Sequence, residues 1–429
     1  MAERNPIGRL VESVKSARAR HKARHRPTGL GFALADSVSY IAPEPWDEVT
    51  RGSSLFLGRS YLAALEAEGS EDVVSRYALV FHGPKPVAAV AAQLIRISAE
   101  KLARLEAPSE PDAKHKDDPV SRAFVHARAK VMSKLRLGAL KRVKARVLVC
   151  GNVFSWGMHG VAFASGEDRA ALWPAVAEAL YRIRRAEKLS GQMDLILIKD
   201  LPAGDEGARA LKTFSYRPLE TEPDMVLKIP PAWRSYEDYL ASLSSRYRKT
   251  AQRIAKDFGD GGFRVERLEA LEPHAVRLHE LYREVHDEAK VRLAAIRPGL
   301  LPALARALGG DFRCTVARRG SEIVGFVTTL RDGDRAIGYY IGFDRAVNSE
   351  APVYFRLLQS VVADAIELGV RELSLGRTAL EPKARLGARA APLEVWIRHR
   401  VPVLNLLVRS LLGTVPHAEA PERDPFKVQ

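Results

Sequence analysis

The chain has 429 residues, of which 46% are hydrophobic and 28% charged, and its net charge is +15. This composition excludes a disordered chain, and the length exceeds what one hydrophobic core usually serves, so two domains are expected. No window approaches the ~18 uninterrupted apolar residues of a membrane span, and the N-terminus lacks the apolar region of a signal peptide. We therefore expect a cytoplasmic protein without a transmembrane segment.

The positive charge is concentrated in two segments. Residues 1–26 hold eight Lys or Arg against two acids, and residues 120–146 hold nine against none. Such stretches bind RNA, anionic lipid or cofactor phosphates, or they are solvated faces that keep a protein soluble. The second segment also has the spacing of a basic amphipathic helix. The sequence leaves open tRNA, the inner face of the membrane and solvent as neighbours of these cations.

Cysteine usage predicts neither a disulfide nor a metal site. Cys150 and Cys314 are the two cysteines, and each lies in an apolar run with the character of a strand. Buried thiols in a cytosolic chain are most often small core residues. We assign them no chemistry and expect no metal.

In the first half, a β-hairpin is predicted from two β-rich runs, Tyr77–Phe81 and Val87–Ile97. The connecting sequence His82-Gly83-Pro84-Lys85-Pro86 has the composition of a turn. A polar stretch then precedes the basic segment, and its composition indicates an insertion. The remaining elements predicted in this half are strands at 146–152, 160–163 and 195–198 and a helix at 168–189.

The second half repeats this order. Aligning Gly83 with Gly320 places Val80 on Ala317 and Val87 on Val324, so strand, turn and strand recur at one offset. A strand, a long helix and another strand follow in both halves, which predicts a duplicated α/β unit with a mixed sheet. The predicted elements are helices at 235–257, 273–291 and 351–368 and strands at 313–317, 323–330, 336–343 and 372–375.

The resulting organisation has four parts. Residues 1–50 are expected to be a basic N-terminal extension, and residues 51–230 a first domain with a basic helical insertion at about 98–146. Residues 231–400 are expected to form a second domain, with the junction between Lys228 and Tyr236 marked by Pro230-Pro231. Residues 401–429 are read as a docking segment and tail.

Three phrases resemble the double-GNAT acyltransferases, a group related to the Fem-type peptidoglycan aminoacyl transferases. Glu372-Leu373-Ser374-Leu375-Gly376-Arg377-Thr378, followed by Lys383 and Leu386-Gly387-Ala388, resembles the end of the second repeat. Residues 236–248 resemble its opening Ser/Arg helix, and residues 151–160 resemble the end of a first-repeat strand that faces the shared cleft. Over about 55–400, the resemblance implies two tandem GNAT-like domains, each a mixed central sheet flanked by helices, and a cleft formed mainly by the second half.

The resemblance also implies where acyl transfer would occur. In the GNAT fold two parallel strands splay apart and orient the acyl arm, which places the splay here near 339–344. Tyr340 is then a candidate proton donor to a leaving group, and Asp344 a candidate proton acceptor or relay. Packing under the cleft for Tyr340, and capping of the next helix by Asp344, are the competing interpretations.

Cationic side chains supply the other candidates. Arg377 and Lys383 follow a strand through a glycine turn, so they are predicted to hold a phosphate or to stabilise a developing oxyanion. Arg246 and Arg248 are predicted to receive phosphate, unless they are ordinary exposed helix residues.

Two residues of the first half complete the candidate site. Asn152 and His159 are predicted to line the cleft between the halves as substrate-binding residues, although a histidine in a glycine-rich turn is often structural.

One departure from the family concerns the donor. The glycine-rich phosphate loop of typical GNAT enzymes is intact in neither half, because the residues at its expected positions, 344–352 and 165–170, do not match its sequence. Acetyl-CoA or another acyl-CoA is the expected cosubstrate, and a small-molecule or peptide amine, an amino sugar or an envelope precursor is the expected acceptor. The alternatives are a Fem-like transferase that uses aminoacyl-tRNA, and a non-catalytic polyanion or membrane-surface binder on a degenerate GNAT scaffold.

Overall fold

A computed structural model describes residues 26–97, 145–288, 293–402, 404–405 and 420–427. Both basic segments of the sequence, 1–26 and 120–146, lie almost wholly outside the described residues. Within the described part, the chain forms one mixed sheet of 13 strands with helices packed on its faces. No helix in that part is long and apolar enough to cross a membrane.

The first half contains seven strands and three α-helices among the described residues. In chain order they are β1 (Gly31–Ala35), α1 (Pro43–Thr50), α2 (Arg59–Glu68), β2 (Val73–His82), β3 (Lys85–Ile97), β4 (Ala145–Cys150), β5 (Val161–Phe163), α3 (Arg169–Ala186), β6 (Leu195–Pro202) and β7 (Arg217–Lys228).

The second half has the same kinds of elements. They are α4 (Tyr236–Ser242), α5 (Ser245–Asp260), β8 (Phe263–Arg267), α6 (Ala275–His286), α7 (Leu300–Leu308), β9 (Phe312–Arg319), β10 (Glu322–Asp332), β11 (Arg335–Phe343), α8 (Arg345–Glu350), α9 (Val353–Glu367), β12 (Glu372–Ser374), α10 (Leu380–Arg385) and β13 (Arg389–His399).

The predicted duplication of a mixed α/β unit is confirmed. In each half a strand and two helices precede an antiparallel hairpin, β2–β3 or β9–β10, whose turn contains Gly83 or Gly320 in the left-handed region. The next strand then pairs in parallel with a strand reached through one long helix, β4 with β6 through α3 and β11 with β12 through α9. Apart from β5, which pairs with β3 and has no counterpart among the described strands of the second half, the strands of the two halves therefore follow one connectivity.

The last strands of the two halves are exchanged. Strand β13 pairs with β6 and β7, and β7 pairs with β13 and β12, so the centre of the sheet runs β6-β13-β7-β12. The expectation of two separate sheets meeting between Lys228 and Tyr236 was therefore wrong. Hydrophobic patterns specify that a strand forms, but they do not specify its neighbour.

The expected N-terminal extension is also corrected. Strand β1 pairs with β2, and α1 buries Trp46, whose indole Nε1 donates to the carbonyl of Leu57 over 2.8 Å. Residues 31–50 thus belong to the first half. One of the hydrophobic clusters combines apolar side chains of both halves, among them Trp46 and Tyr339.

The C-terminal residues that are described pack on the rest of the chain. Asn405 donates from Nδ2 to the carbonyl of Ser215, and Phe426 packs against Trp233 and Tyr239. Most of the apolar run 401–412, however, lies outside the described residues. The two cysteines are buried and free, as their apolar surroundings predicted.

Candidate functional site

Strands β11 and β12 diverge at the place where the resemblance located a splay. Their parallel pairing covers Arg335–Ile337 and Glu372–Ser374 and then stops. Beyond it, Tyr339 and Tyr340 both lie opposite Thr328 of β10, which is a β-bulge. The backbone N–H of Tyr340 donates to Thr328 Oγ1 over 2.9 Å and so fixes the bulge. Past Ile337, this edge of β11 has no neighbouring strand in the described part of the chain.

A cavity of about 420 Å³ opens at this divergence. Phe343 at the end of β11 and Thr378 beyond β12 lie on its two sides, and Arg345, Asn348 and Ser349 of α8 also line it. Thr378 has φ of 56° and the next residue has φ of 46°, both in the left-handed region that side chains other than glycine rarely adopt. Such strain is concentrated at functional sites, where the surrounding structure enforces it.

Lys383 lies beneath this loop and is buried. From α10, its Nζ donates to the carbonyl of Gly376 over 3.1 Å and to the carbonyl of Arg377. Burial lowers the pKa of Lys383 to about 8, although Asp224 and Glu222 act in the opposite direction. A neutral amine still has two N–H donors for the two carbonyls. This geometry favours positioning of the loop over the direct contact with substrate that the sequence predicted.

A buried carboxylate holds the same loop from the other side. Asp224 of β7 accepts hydrogen bonds from Ser374 Oγ over 2.7 Å and from the N–H of Gly376 over 3.0 Å. Ser374 Oγ in turn accepts from Trp156 Nε1 over 2.6 Å. Burial raises the pKa of Asp224, while Ser374 and nearby cations oppose that rise. The exchanged strand β7 therefore brings a first-half carboxylate to the second-half loop.

Gly376 is the residue of this loop that cannot carry a side chain. Its φ is 75°, and a Cβ there would lie 2.8 Å from the Trp156 ring. Gly376→Ala should therefore lower the free energy of unfolding by about 1 kcal/mol for the backbone conformation and by about 2 kcal/mol more for the contact.

A matched control for this substitution is Gly320→Ala. Gly320 has a similar φ of 60° but open space around its Cβ position, so this change should cost only the backbone contribution. Urea denaturation of both variants measures the difference, and equal losses would contradict the role given to Trp156.

A second buried ionic cluster joins the two halves. Asp200 of β6 is fully buried with φ of 59°, and it pairs with Lys199 and with Arg377. Its carboxylate also accepts from the N–H of Gly157 over 3.1 Å. Burial disfavours the charged carboxylate, but the two cations outweigh that effect and lower the pKa of Asp200. Arg377 is thus committed to Asp200, and its buried Nε has no hydrogen-bond partner in the described part of the chain.

Tyr340 and Asn152 each form a hydrogen bond at the loop that follows β4. Tyr340 donates from its hydroxyl to the carbonyl of Phe154 over 3.2 Å, across the interface of the halves. Asn152 Nδ2 donates to the hydroxyl of Tyr61, which lies 2.9 Å from the hydroxyl of Tyr339. The interpretation of Tyr340 as a residue packed under the cleft agrees with these contacts.

His159 lies in the same loop and is buried. Its Nδ1 is 2.8 Å from Ser54 Oγ, and its Nε2 is 2.7 Å from the carbonyl of Trp156. Burial lowers the pKa of His159 to about 3, so the ring is neutral near pH 7. These contacts give His159 a structural place between the halves, and His159 does not line the cavity at the β11–β12 divergence.

The other three sequence candidates lie apart from this network. Asp344 caps α8, since its Oδ1 accepts from the N–H of Val347 over 3.0 Å, as the capping interpretation predicted. Arg248 points back to the carbonyl of Leu243, at 3.5 Å. Arg246 lines a different cavity, between α5 and α9.

Sequence reasoning missed the acidic partners and the lysine beside them. Asp200 and Lys199 interrupt the apolar run of β6, and Asp224 lies in a segment with two prolines. A charged pair inside a buried strand was the available signal, because buried charges are seldom left unpaired. Trp156 and Ser374 were inside the phrases that carried the resemblance, but no pattern singled them out.

Comparison with protein families gives a match over residues 244–384, to the family described as an acetyltransferase (GNAT) domain. Among curated proteins, putative 8-amino-7-oxononanoate synthase 2 of Mycobacterium tuberculosis is 28% identical over 290 residues, which are 65% of this chain. The chain spans 36% of the length of that relative.

Several solved structures are similar over most of the chain. FemX has a TM-score of 0.45 and 11% identity, with 83% of this chain and 93% of FemX covered. L-PGS from Bacillus licheniformis has a TM-score of 0.43 and 12% identity, with coverage of 83% and 97%. A tandem GNAT protein from the clavulanic acid biosynthesis pathway has a TM-score of 0.44 and 11% identity, with coverage of 87% and 99%.

Proposed function

We propose that the chain, whose residues 244–384 match the acetyltransferase (GNAT) domain family, transfers an acyl group from an acyl-CoA thioester to an amine. The observation that carries the proposal is the divergence of β11 from β12 at a bulge, next to a cavity of about 420 Å³. The open edge of β11 offers backbone groups that orient an acyl arm, and the cavity provides space for it.

The proposed reaction needs no covalent intermediate on the protein. The amine nitrogen attacks the thioester carbonyl carbon, the new C–N bond forms, and the C–S bond breaks. The nitrogen loses one proton and the leaving thiolate gains one, so the products are an amide and free CoA. Positioning and stabilisation of the carbonyl oxygen are the contributions that the protein has to make.

The loop of residues 376–379 is the element that we assign to positioning. Lys383 holds two of its carbonyls, Asp224 holds one of its N–H groups, and Asp200 holds the Arg377 side chain. These contacts come from both halves of the chain, so the loop is fixed before a donor binds. A preorganised loop lowers the reorganisation needed during transfer.

Blocking the cavity tests the proposal directly. Ser349 is exposed and lines the cavity, so Ser349→Trp should fill the space without disturbing the core. We expect kcat/KM for acetyl transfer, measured with acetyl-CoA and a panel of amines, to fall on the order of tenfold or more.

Ala346→Trp is the matched control, because Ala346 is exposed on the same helix but does not line the cavity. It should leave kcat/KM within about twofold of the unmodified protein. Absence of acetyl transfer to any amine, together with no binding of acetyl-CoA by calorimetry, would overturn the proposed donor.

A further inference from the structure

A second cavity, of about 610 Å³, lies between α5, α9 and α10. Four arginines line it: Arg246, Arg253, Arg385 and Arg423. Of the described residues around it, two are acidic, and Glu381 is already paired with Arg385 and Arg423 at 2.8 and 3.1 Å. Arg246 and Arg253 form no ion pair with any described residue. The cavity therefore presents excess positive charge.

The position of α5 makes this charge unfavourable for the free protein. Ser245–Arg248 form its first turn, which contains two arginines and no acid, at the helix end where the backbone dipole is already positive. The side chain of Ser244, the N-cap residue, makes no capping hydrogen bond. An anion bound in the cavity would relieve this repulsion.

The remaining walls suit a flat ring. Tyr247 and Phe355 line the cavity, and 41% of the surface of Phe355 is exposed. Aromatic faces stack on bases, and arginine guanidinium groups bind phosphates through paired N–H donors. A cavity of this volume is large enough for a nucleotide.

The cavity lined by the four arginines, called the arginine cavity below, lies next to the cavity of about 420 Å³ at the β11–β12 divergence, called the reaction cavity below. Ser349 lines the reaction cavity and Pro352 lines the arginine cavity, and the same separation of three residues divides Thr378 from Glu381. Three residues span at most about 11 Å of chain. The linings of the two cavities therefore come within this distance at two places, and one extended molecule is long enough to span it.

We propose that the arginine cavity binds the nucleotide end of the acyl donor, with Arg246 and Arg253 as its phosphate ligands. This inference rests on the proposed function and names the donor's binding determinants. The connection after β11 is filled by α8 and lacks a glycine-rich loop, so the arginines of α5 supply the contacts to phosphate. Both CoA and the 3′ end of a tRNA present an adenosine nucleotide with phosphates.

Calorimetry with the full chain tests the assignment. In the double variant Arg246→Glu/Arg253→Glu, Kd for CoA and for adenosine 3′,5′-bisphosphate should rise about tenfold or more. Both side chains are exposed, so the substitutions replace two positive charges that attract the phosphates with two negative charges that repel them. The affinity for pantetheine, which lacks the nucleotide, should not change.

The control is Lys249→Glu/Lys256→Glu, which makes the same change in charge on α5 at exposed residues that do not line the cavity. Kd for CoA should stay within about twofold in this variant. Equal weakening in both double variants, or none in the first, would overturn the proposal. Competition between CoA and deacylated tRNA for the unmodified protein would assign the site to the tRNA end as well, and its absence would assign it to CoA.

Acetylpantetheine separates this inference from the proposed function. If the arginine variant keeps its affinity for CoA while acetyl transfer from acetylpantetheine proceeds, the nucleotide site is wrong and the acyltransferase stands. If no donor supports transfer but adenosine 3′,5′-bisphosphate binds in a way that requires Arg246 and Arg253, the acyltransferase is wrong and the nucleotide site stands.

Discussion

Replacing Asp200 with asparagine is expected to lower the free energy of unfolding by about 3–5 kcal/mol. Asp200 is fully buried and is the shared partner of Lys199 and Arg377, so its neutralisation leaves two cations near the interface of the halves without their anion. Loss of one member of a buried ionic cluster costs more than loss of an exposed pair. Urea denaturation followed by circular dichroism measures the change.

Asp260→Asn is the control for that substitution, because Asp260 pairs with Lys256 on the surface. It should change stability by no more than about 0.5 kcal/mol. A similarly small effect at Asp200 would show that Lys199 and Arg377 are satisfied without it. Because the pKa of Asp200 is lowered in the fold, its contribution is complete above pH 3.8 and is lost on further acidification.

Lys383→Ala should reduce turnover on the order of 10²-fold in the proposed acyl transfer. Removal of Nζ releases the carbonyls of Gly376 and Arg377, and displacement of a positioning loop by about 1 Å has an effect of this size. We expect the loss in kcat rather than in KM, since Lys383 does not line the cavity assigned to the acyl donor. Arginine should restore activity only in part, because its planar group does not fit two carbonyls arranged around one nitrogen.

The pH dependence of stability separates this role from simple packing, with Lys383→Met as the reference. The pKa of Lys383 is about 8 in the fold and 10.5 in the reference state, so between these values the unfolded chain binds one more proton. Stability of the unmodified protein relative to Lys383→Met should therefore rise with pH across that window, by up to about 1.4 kcal/mol per pH unit. A difference that is independent of pH would mean that Lys383 is not a buried titrating amine.

Local sequence patterns were sufficient to predict the hairpin strands and the long helices of both halves. Gly83 and Gly320 marked two hairpins, because a turn requires backbone conformations that these residues adopt easily. Strand β7 escaped detection since Pro218 and Pro223 are unusual inside a sheet. Its neighbours β12 and β13 are far away in the sequence, so no local pattern could assign its place.

The sequence predicted only the outline of the candidate site, again because the contacts that complete it join residues remote in sequence. The phrase around Arg377 located the loop, and the resemblance located the divergence of β11 from β12. The functions of those residues depend on partners that are remote in sequence: Asp200 lies 177 residues from Arg377, and Asp224 lies 150 from Ser374. The burial of Lys383 was not predicted either, because a lysine after a glycine turn was expected near the surface.

The exchange of β7 and β13 has a consequence for how the chain is made. While the ribosome is still synthesising the second half, β6 and β7 lack the strand that separates them in the finished sheet. Domains usually fold in order as they emerge, but here the first half cannot complete its sheet until residues 389–399 leave the exit tunnel. Completion of the first half is thus coupled to the synthesis of residues 389–399, and the pairing of β6 with β13 joins segments about 200 residues apart, which favours slow folding.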